Sequence, residues 1–181
     1  MSTPEDFASK LPRILISEPK LKERITELAR EIRQDYAGKD LVAVCVLKGS
    51  FIFFTDLIRQ MDTTLTTEFL GVKAYNRSVT SGEVKVTLDI NEPLEGKHVL
   101  VIEDVVHSGL TLNYIMNMLR ARRPASLKSC ALLVKEERLK ISPPIDYWGF
   151  KLGKEFVVGY GIDHEGRHRG LPYIGMLEHD H

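Results

Sequence analysis

Hydrophobic positions along the chain follow two rhythms. In residues 17–38, SEPKLKERITELAREIRQDYAG, the apolar positions Leu21, Ile25, Leu28, Ile32 and Tyr36 recur every three or four residues. That spacing predicts an amphipathic helix. Ser17 stands where a cap is needed, Pro19 suits the first turn and Gly38 can end it. LVAVCVL (41–47) has no polar position at all, which suits a strand covered on both faces, as in a parallel sheet. The turn KGS leads into FIFFTDLIRQM (51–61), a second helix. TLTTEFLGVKAY (64–75) and EVKVTLDI (83–90) alternate as strands do. The polar NRSVTSG between them is long for a tight hairpin, so a mobile loop is expected there. KHVLVIEDVV (97–106) is another buried strand, and GLTLNYIMNMLRARRP (109–124) a helix stopped by Pro124. SLKSCALLVKEE (126–137) and EFVVGYGID (155–163) complete the strands.

Strands alternating with helices imply right-handed crossovers on a mostly parallel sheet, an α/β fold. In such sheets ligands bind beyond the carboxyl ends of the strands. Four predicted ends carry polar groups: LKG (47–49), Glu103 with Asp104, Lys135, and Asp163.

Length and composition narrow the class. A chain of 181 residues, 43% hydrophobic, is read as a single domain over 1–181 with a sizeable core. Lys and Arg together number 25, as do Asp and Glu, which argues against a dedicated nucleic-acid binder. Cys45 and Cys130 lie in apolar runs and read as buried reduced thiols rather than a disulfide. The N-terminal MSTPEDFASK lacks the apolar stretch of a secretory signal, and no run approaches the ~20 apolar residues of a membrane span. A cytoplasmic protein with no membrane partner is expected.

The chemistry concentrates in VIEDVVHSGLTL (101–112). The turn HSGLT joins a strand to a helix. Free amides there, with Gly109 allowing close approach and the hydroxyls of Ser108 and Thr111, make a seat for an anion such as phosphate. It is not a P-loop, because GxxxxGK[ST] is absent. Two carboxylates just upstream would repel a bare phosphate. They suit sugar hydroxyls, or a magnesium ion shared with a second phosphate. The pattern therefore points to a phosphorylated sugar. Taken alone, it also fits a solvated turn with a helix cap.

These residues resemble the signature of the type I phosphoribosyltransferases. VLKGSFIFFTDL (46–57), SGEVKV (81–86), LLVKE (132–136) and EFVVGYGIDHEGRHRGLPYIG (155–175) narrow the likeness to the hypoxanthine-guanine phosphoribosyltransferases, over roughly residues 12–177. The resemblance implies the type I fold: a mostly parallel central sheet flanked by helices, a small hood and a mobile lid loop. The lid would span about 72–86. The hood would be built mainly from about 135–177 with the N-terminal segment. The implied reaction joins hypoxanthine or guanine to phosphoribosyl pyrophosphate, with Mg²⁺ as cofactor, giving IMP or GMP and pyrophosphate. A homodimer or homotetramer is the usual assembly.

Residue by residue, the resemblance implies the following. Glu103 and Asp104 would hold the ribose hydroxyls and the metal, with Asp163 joining the metal shell. Ser108, Gly109, Leu110 and Thr111 would cradle the 5′-phosphate. Lys48, Gly49 and Arg169 would meet pyrophosphate, with a cis peptide between Leu47 and Lys48. Lys135 would donate to the purine O6, Phe156 would stack on the base, the Val157 backbone would read its edge and Tyr75 would help cover the site. Bland readings stand beside these: Phe156 as ordinary core, Asp163 and Arg169 as a loop ion pair, and His164 and His168 as solvated histidines.

The chain departs from the family at two places. His107 stands where the family has an aspartate base near N7 of the purine, and Ala74 where it has serine. Nearby carboxylates and phosphates are expected to favour a charged imidazolium at His107, with Mg²⁺ opposing. Two alternatives to an active enzyme for 6-oxopurines follow: a low-activity or regulatory relative that binds phosphoribosyl pyrophosphate or nucleotide, and a transferase for another base.

Overall fold

The structure is a computed structural model that describes residues 11–61, 64–74 and 84–177. Its centre is a six-stranded sheet. In chain order the strands are β2 (Leu41–Leu47), β3 (Thr66–Ala74), β4 (Val84–Leu88), β5 (His98–Val106), β6 (Ser126–Lys135) and β7 (Tyr147–Leu152). They lie side by side as β4-β3-β2-β5-β6-β7. Every pairing is parallel except β3 with the edge strand β4.

Helices cover both faces. On one lie α1 (Glu18–Asp35) and α2 (Phe51–Ile58), on the other α3 (Leu110–Arg120). The unbroken apolar run of β2 follows from this. Leu41, Ala43 and Cys45 pack with Leu21, Ile25, Leu28, Phe53 and Leu57, while Val42, Val44 and Val46 pack with Leu112, Ile115 and Leu119. Central strands here have no solvent face, so alternation vanishes from their sequence. Both cysteines are free and buried. Among the described residues no helix is long and apolar enough to cross a membrane.

A second, three-stranded antiparallel sheet joins β1 (Arg13–Ile16), β9 (Ile174–Met176) and β8 (Val157–Val158), in that order. It corrects the sequence reading in one place. Residues 155–163 do not form a strand of the main sheet. Only Val157 and Val158 are extended, and the chain then turns through Gly159 (φ 99°), Tyr160 (φ 50°) and Gly161 (φ 100°). Asp163 therefore sits in a loop and not at a parallel strand's end. Short β1, β7 and β9 carry too few alternating positions to be read from sequence, and all three were missed.

Boundaries moved slightly elsewhere. The first helix ends at Asp35, and the second at Ile58, where Gln60 and Met61 close turns onto Leu57 and Ile58. Ser17 occupies the first cap position without a side-chain cap bond. The third helix ends at Arg120, well before Pro124. The expected mobile loop, with residues 75–83 of the lid, lies outside the described residues.

The outer strand β7 is held from above by α1. Arg24 donates from Nη2 to the carbonyl of Trp148 at 2.8 Å and from Nε to that of Gly149 at 3.3 Å.

Cutting into the sheet's centre tests this arrangement. Ile102→Ala, at a position with no exposure, is expected to lower unfolding free energy in urea by about 2–5 kcal/mol. Leu88→Ala, at the 45% exposed edge, should cost under about 1 kcal/mol.

Candidate active site

The carboxyl ends of β2, β5 and β6 meet at one rim. Glu103 and Asp104 stand toward the carboxyl end of β5, and adjacent strand positions point to opposite faces of a sheet. Glu103 turns toward α3. It lines a small cavity with His107, Ser108, Gly109 and Thr111. Asp104 turns the other way, toward α2 and the Lys48–Gly49 turn. A side chain built on Gly49 would meet Asp104 Oδ2 at 1.7 Å, so only glycine fits against that carboxylate. Glu103 thus addresses the small cavity on the α3 side, and Asp104 the Lys48–Gly49 turn on the other side of the sheet.

The turn after β5 is built as an anion seat requires. Gly109 takes φ 79°, a conformation that side chains resist, and begins α3. Its Cα lies so close to the next loop that an added Cβ would stand 2.4 Å from the Ile141 carbonyl. The Lys140 amide donates to the Ser108 carbonyl at 3.0 Å, fixing the turn against residues 140–143. Leu110 presents its amide 3.4 Å from Ser108 Oγ at the helix start. That bracing loop had no periodic signal and was not foreseen.

On the β2 side, the Leu47–Lys48 peptide is cis and Lys48 is exposed. Gly161 presses on this turn: a Cβ there would come within 2.0 Å of the Gly49 carbonyl. Arg169 anchors the same loop. It donates from Nη1 to the Gly161 carbonyl at 2.6 Å and pairs through Nη2 with Asp163 Oδ1 at 2.6 Å. Asp163 Oδ2 also accepts from the Gly166 amide at 2.7 Å. In this structure Asp163 and Arg169 hold each other beside Asp104.

At the end of β6, Lys135 is buried to 6% exposure and donates to the Glu155 carbonyl at 2.8 Å. That bond places its ammonium next to Phe156 and Val157. Phe156 is not core. It is half-buried, with its ring edge-on to His164 at 5.1 Å between centroids. Val157 is buried and paired with Met176 in the small sheet. His164 lies in a loop, bonded through its backbone to Arg167. Tyr75 lies outside the described residues.

Electrostatics single out the acids. Burial, then the neighbouring Asp104 charge, pushes the Glu103 carboxyl well above the ordinary range. Its Oε2 is buried with no hydrogen-bond partner among the described residues. Burial likewise raises Asp104, against the pull of backbone amides and Arg169. Two sunken carboxylates side by side, one with an orphaned oxygen, suit a donor set that awaits a cation and hydroxyls. Among the described residues no three His, Cys, Asp or Glu side chains cluster closely enough to hold a metal by themselves. A cation here would need oxygens from a ligand.

Burial, then Lys135 and Arg138, lowers the His107 pKa. Glu103 lines the same small cavity, as the sequence led one to expect, but does not reverse this direction. The neutral imidazole, the form able to accept a proton, is favoured.

A larger cleft lies at the opposite ends of β2 and β3, lined by Arg33, Tyr36, Lys39, Met61 and Leu65 among others. Among the described residues it contains none of the candidate residues and no carboxylate.

Comparison with known proteins gives a consistent family. A family model described as Phosphoribosyl transferase domain matches residues 15–165. A hypoxanthine-guanine phosphoribosyltransferase of Dictyostelium discoideum is 42% identical over 172 residues, covering 92% of this chain and 96% of the relative. A Listeria monocytogenes relative named bifunctional protein TilS/HprT is 44% identical over 175 residues, covering 96% of this chain. This chain spans 27% of that relative's length. Among solved structures, a hypoxanthine-guanine phosphoribosyltransferase from Bacillus anthracis, with HEPES in its active site, aligns with TM-score 0.89 at 41% identity. The alignment covers 93% of this chain and all of that one.

The buried acids make stability depend on pH. A carboxyl whose folded pKa is raised contributes stability that is full below its unfolded value and lost as pH rises through the folded one. In chelator-treated protein, unfolding free energy is expected to fall as pH rises from about 4 through about 6, the raised value of Asp104. Glu103→Gln should flatten that fall and be more stable than wild type at pH 8 by about 1–3 kcal/mol, measured by urea denaturation.

Proposed function

Because the chain belongs to the phosphoribosyltransferase family, we propose that it is a purine salvage enzyme of the hypoxanthine-guanine type. It would transfer a 5-phosphoribosyl group from phosphoribosyl pyrophosphate to N9 of a 6-oxopurine. The observation that carries the reading is the meeting, at one rim, of an amide-lined turn, two half-buried acids of raised pKa and a buried lysine beside a half-exposed aromatic.

Each part then has work to do. The 108–111 turn holds the 5′-phosphate on its amides and hydroxyls. Glu103, on the same cavity, accepts from ribose hydroxyls, and Asp104 faces the pyrophosphate side. Lys135 donates to the purine O6, which favours an oxo over an amino group at that position. Phe156 offers a face to the base, and His164 braces its edge.

As N9 displaces pyrophosphate, positive charge develops on the ribose ring and negative charge on the leaving group. Lys48 and Arg169 lie where they can meet the latter; Arg169 must then exchange some of its contact with Asp163. Asp104 and Asp163, together with oxygens from the ligand, would hold Mg²⁺ on the pyrophosphate side, where it would supply positive charge to the leaving group, and Glu103 would be left to the ribose hydroxyls. Fixing base and sugar in one geometry supplies much of the remaining acceleration.

His107 replaces the family's aspartate as proton acceptor near N7. Neutral imidazole can accept there, and burial, with Lys135 and Arg138, shifts His107 toward that form.

The direct test mixes protein, Mg²⁺, phosphoribosyl pyrophosphate and each of hypoxanthine, guanine, xanthine and adenine, followed by absorbance. Turnover of at least one 6-oxopurine and none of adenine is expected; ligand binding without turnover of any base would favour a regulatory relative. For His107, kcat/KM should fall on the acid side with a midpoint below about 6.5, the ordinary imidazole value. His107→Asp should move that limb toward about pH 4. Identical acid limbs would refute the role.

A further inference from the structure

Tyr160 has no place in the mechanism above, yet its position is tightly determined. It is 5% exposed and adopts φ 50°, which L residues resist. Such a backbone persists where the surroundings over-determine it. Its amide donates to the Leu171 carbonyl at 2.8 Å, and its hydroxyl donates to Asp56 Oδ2 in a short hydrogen bond. Burial and the Asp56 carboxylate push the phenol upward, so it remains a donor at every working pH.

Asp56 belongs to α2, the helix that starts directly after the Lys48–Gly49 turn. Tyr160 belongs to the loop that carries Asp163 and Arg169. Directly after it, Gly161 rests on the Gly49 carbonyl, while its own carbonyl receives Arg169. The chain thus closes a ring: the 48–49 turn, α2, Asp56, Tyr160, Gly161, and back to Gly49. Both groups assigned to pyrophosphate, Lys48 and Arg169, hang from this ring, and the base-binding Lys135 does not.

Resting on the proposed reaction, we infer that the Asp56–Tyr160 bond is a strut that sets the spacing of Lys48 and Arg169, and that both are positioning residues for the pyrophosphate half of the substrate. Breaking it lets the 159–169 loop rotate away from the Gly49 carbonyl. Pyrophosphate contacts loosen, while the base shelf of Lys135 and Phe156, held by β6 and β8, stays in place.

The test uses the full chain and four variants: Tyr160→Phe, Asp56→Ala, Asp56→Asn and the Phe/Ala double. Magnesium pyrophosphate binding by titration calorimetry is read beside steady-state kinetics. Tyr160→Phe is expected to weaken pyrophosphate binding, and raise KM for phosphoribosyl pyrophosphate, about tenfold, the scale of one hydrogen bond to a charged group. KM for the purine should stay within about twofold. Asp56→Asn keeps an acceptor and should lie within about threefold of wild type, as a bulk loss of fold would not allow. The double variant should be no worse than either single loss.

Unchanged pyrophosphate binding in Tyr160→Phe, or equal rises in both KM values, overturns the strut. A wild-type protein that binds pyrophosphate but turns over no purine counts against the proposed reaction instead, and the binding series still decides the strut.

Discussion

Two neighbouring half-buried carboxylates, balanced only in part by Arg169 beside Asp104, are the constraint on which this molecule is organised. Strand geometry sends Glu103 to the α3 side and Asp104 to the α2 side, so one dipeptide serves both sides of the sheet. Each side then demands a backbone without side chains nearby. Gly109 must turn left-handed on the first, and Gly49 must leave room for the carboxylate on the second. In the free protein the pair is a liability that protonation relieves, as the raised pKa of each acid expresses. Functional sites commonly store such unfavourable terms, and the rest of the fold must offset them.

The rest of the fold does so with a core layered on both faces of a parallel sheet. Because the acids lie toward the carboxyl end of β5, one of the sheet's two central strands, the strand leading to them is held by β2 as far as Ile102 and by β6 through Glu103 and beyond. Loops carry what must adapt to ligands. The loop 136–143 braces the phosphate turn, and the loop 159–171 leans on the cis-linked turn after β2.

The parts legible in the sequence were those with a strong period or a dense motif. The continuous apolar runs of β2, β5 and β6 and the amphipathic α1 fell within a few residues of their true limits. The turn at 107–109 was readable as a strand-to-helix junction because Gly, Ser and Thr stood together between an apolar run and a helical period. The short strands were not readable, since β8 and β9 pair residues that are far apart in the chain and carry no local signature. Val157 to Asp163 looked like one strand because its apolar residues are dense. The three left-handed residues in its middle were hidden, since tyrosine at φ 50° gives no compositional sign. The neutral state of His107 was also out of reach: its charged neighbours, Lys135 and Arg138, come from another strand and the turn after it.

Arg24, bound to the carbonyls of Trp148 and Gly149, has a consequence for how these molecules behave toward one another. The outermost strand of an open sheet invites further strands to add to it, in other copies as readily as in partners. Here a guanidinium already occupies two acceptors, and an incoming chain would have to evict a charged group before it could zip on. Crowded solutions of the folded protein are thereby spared one route to fibrous assembly.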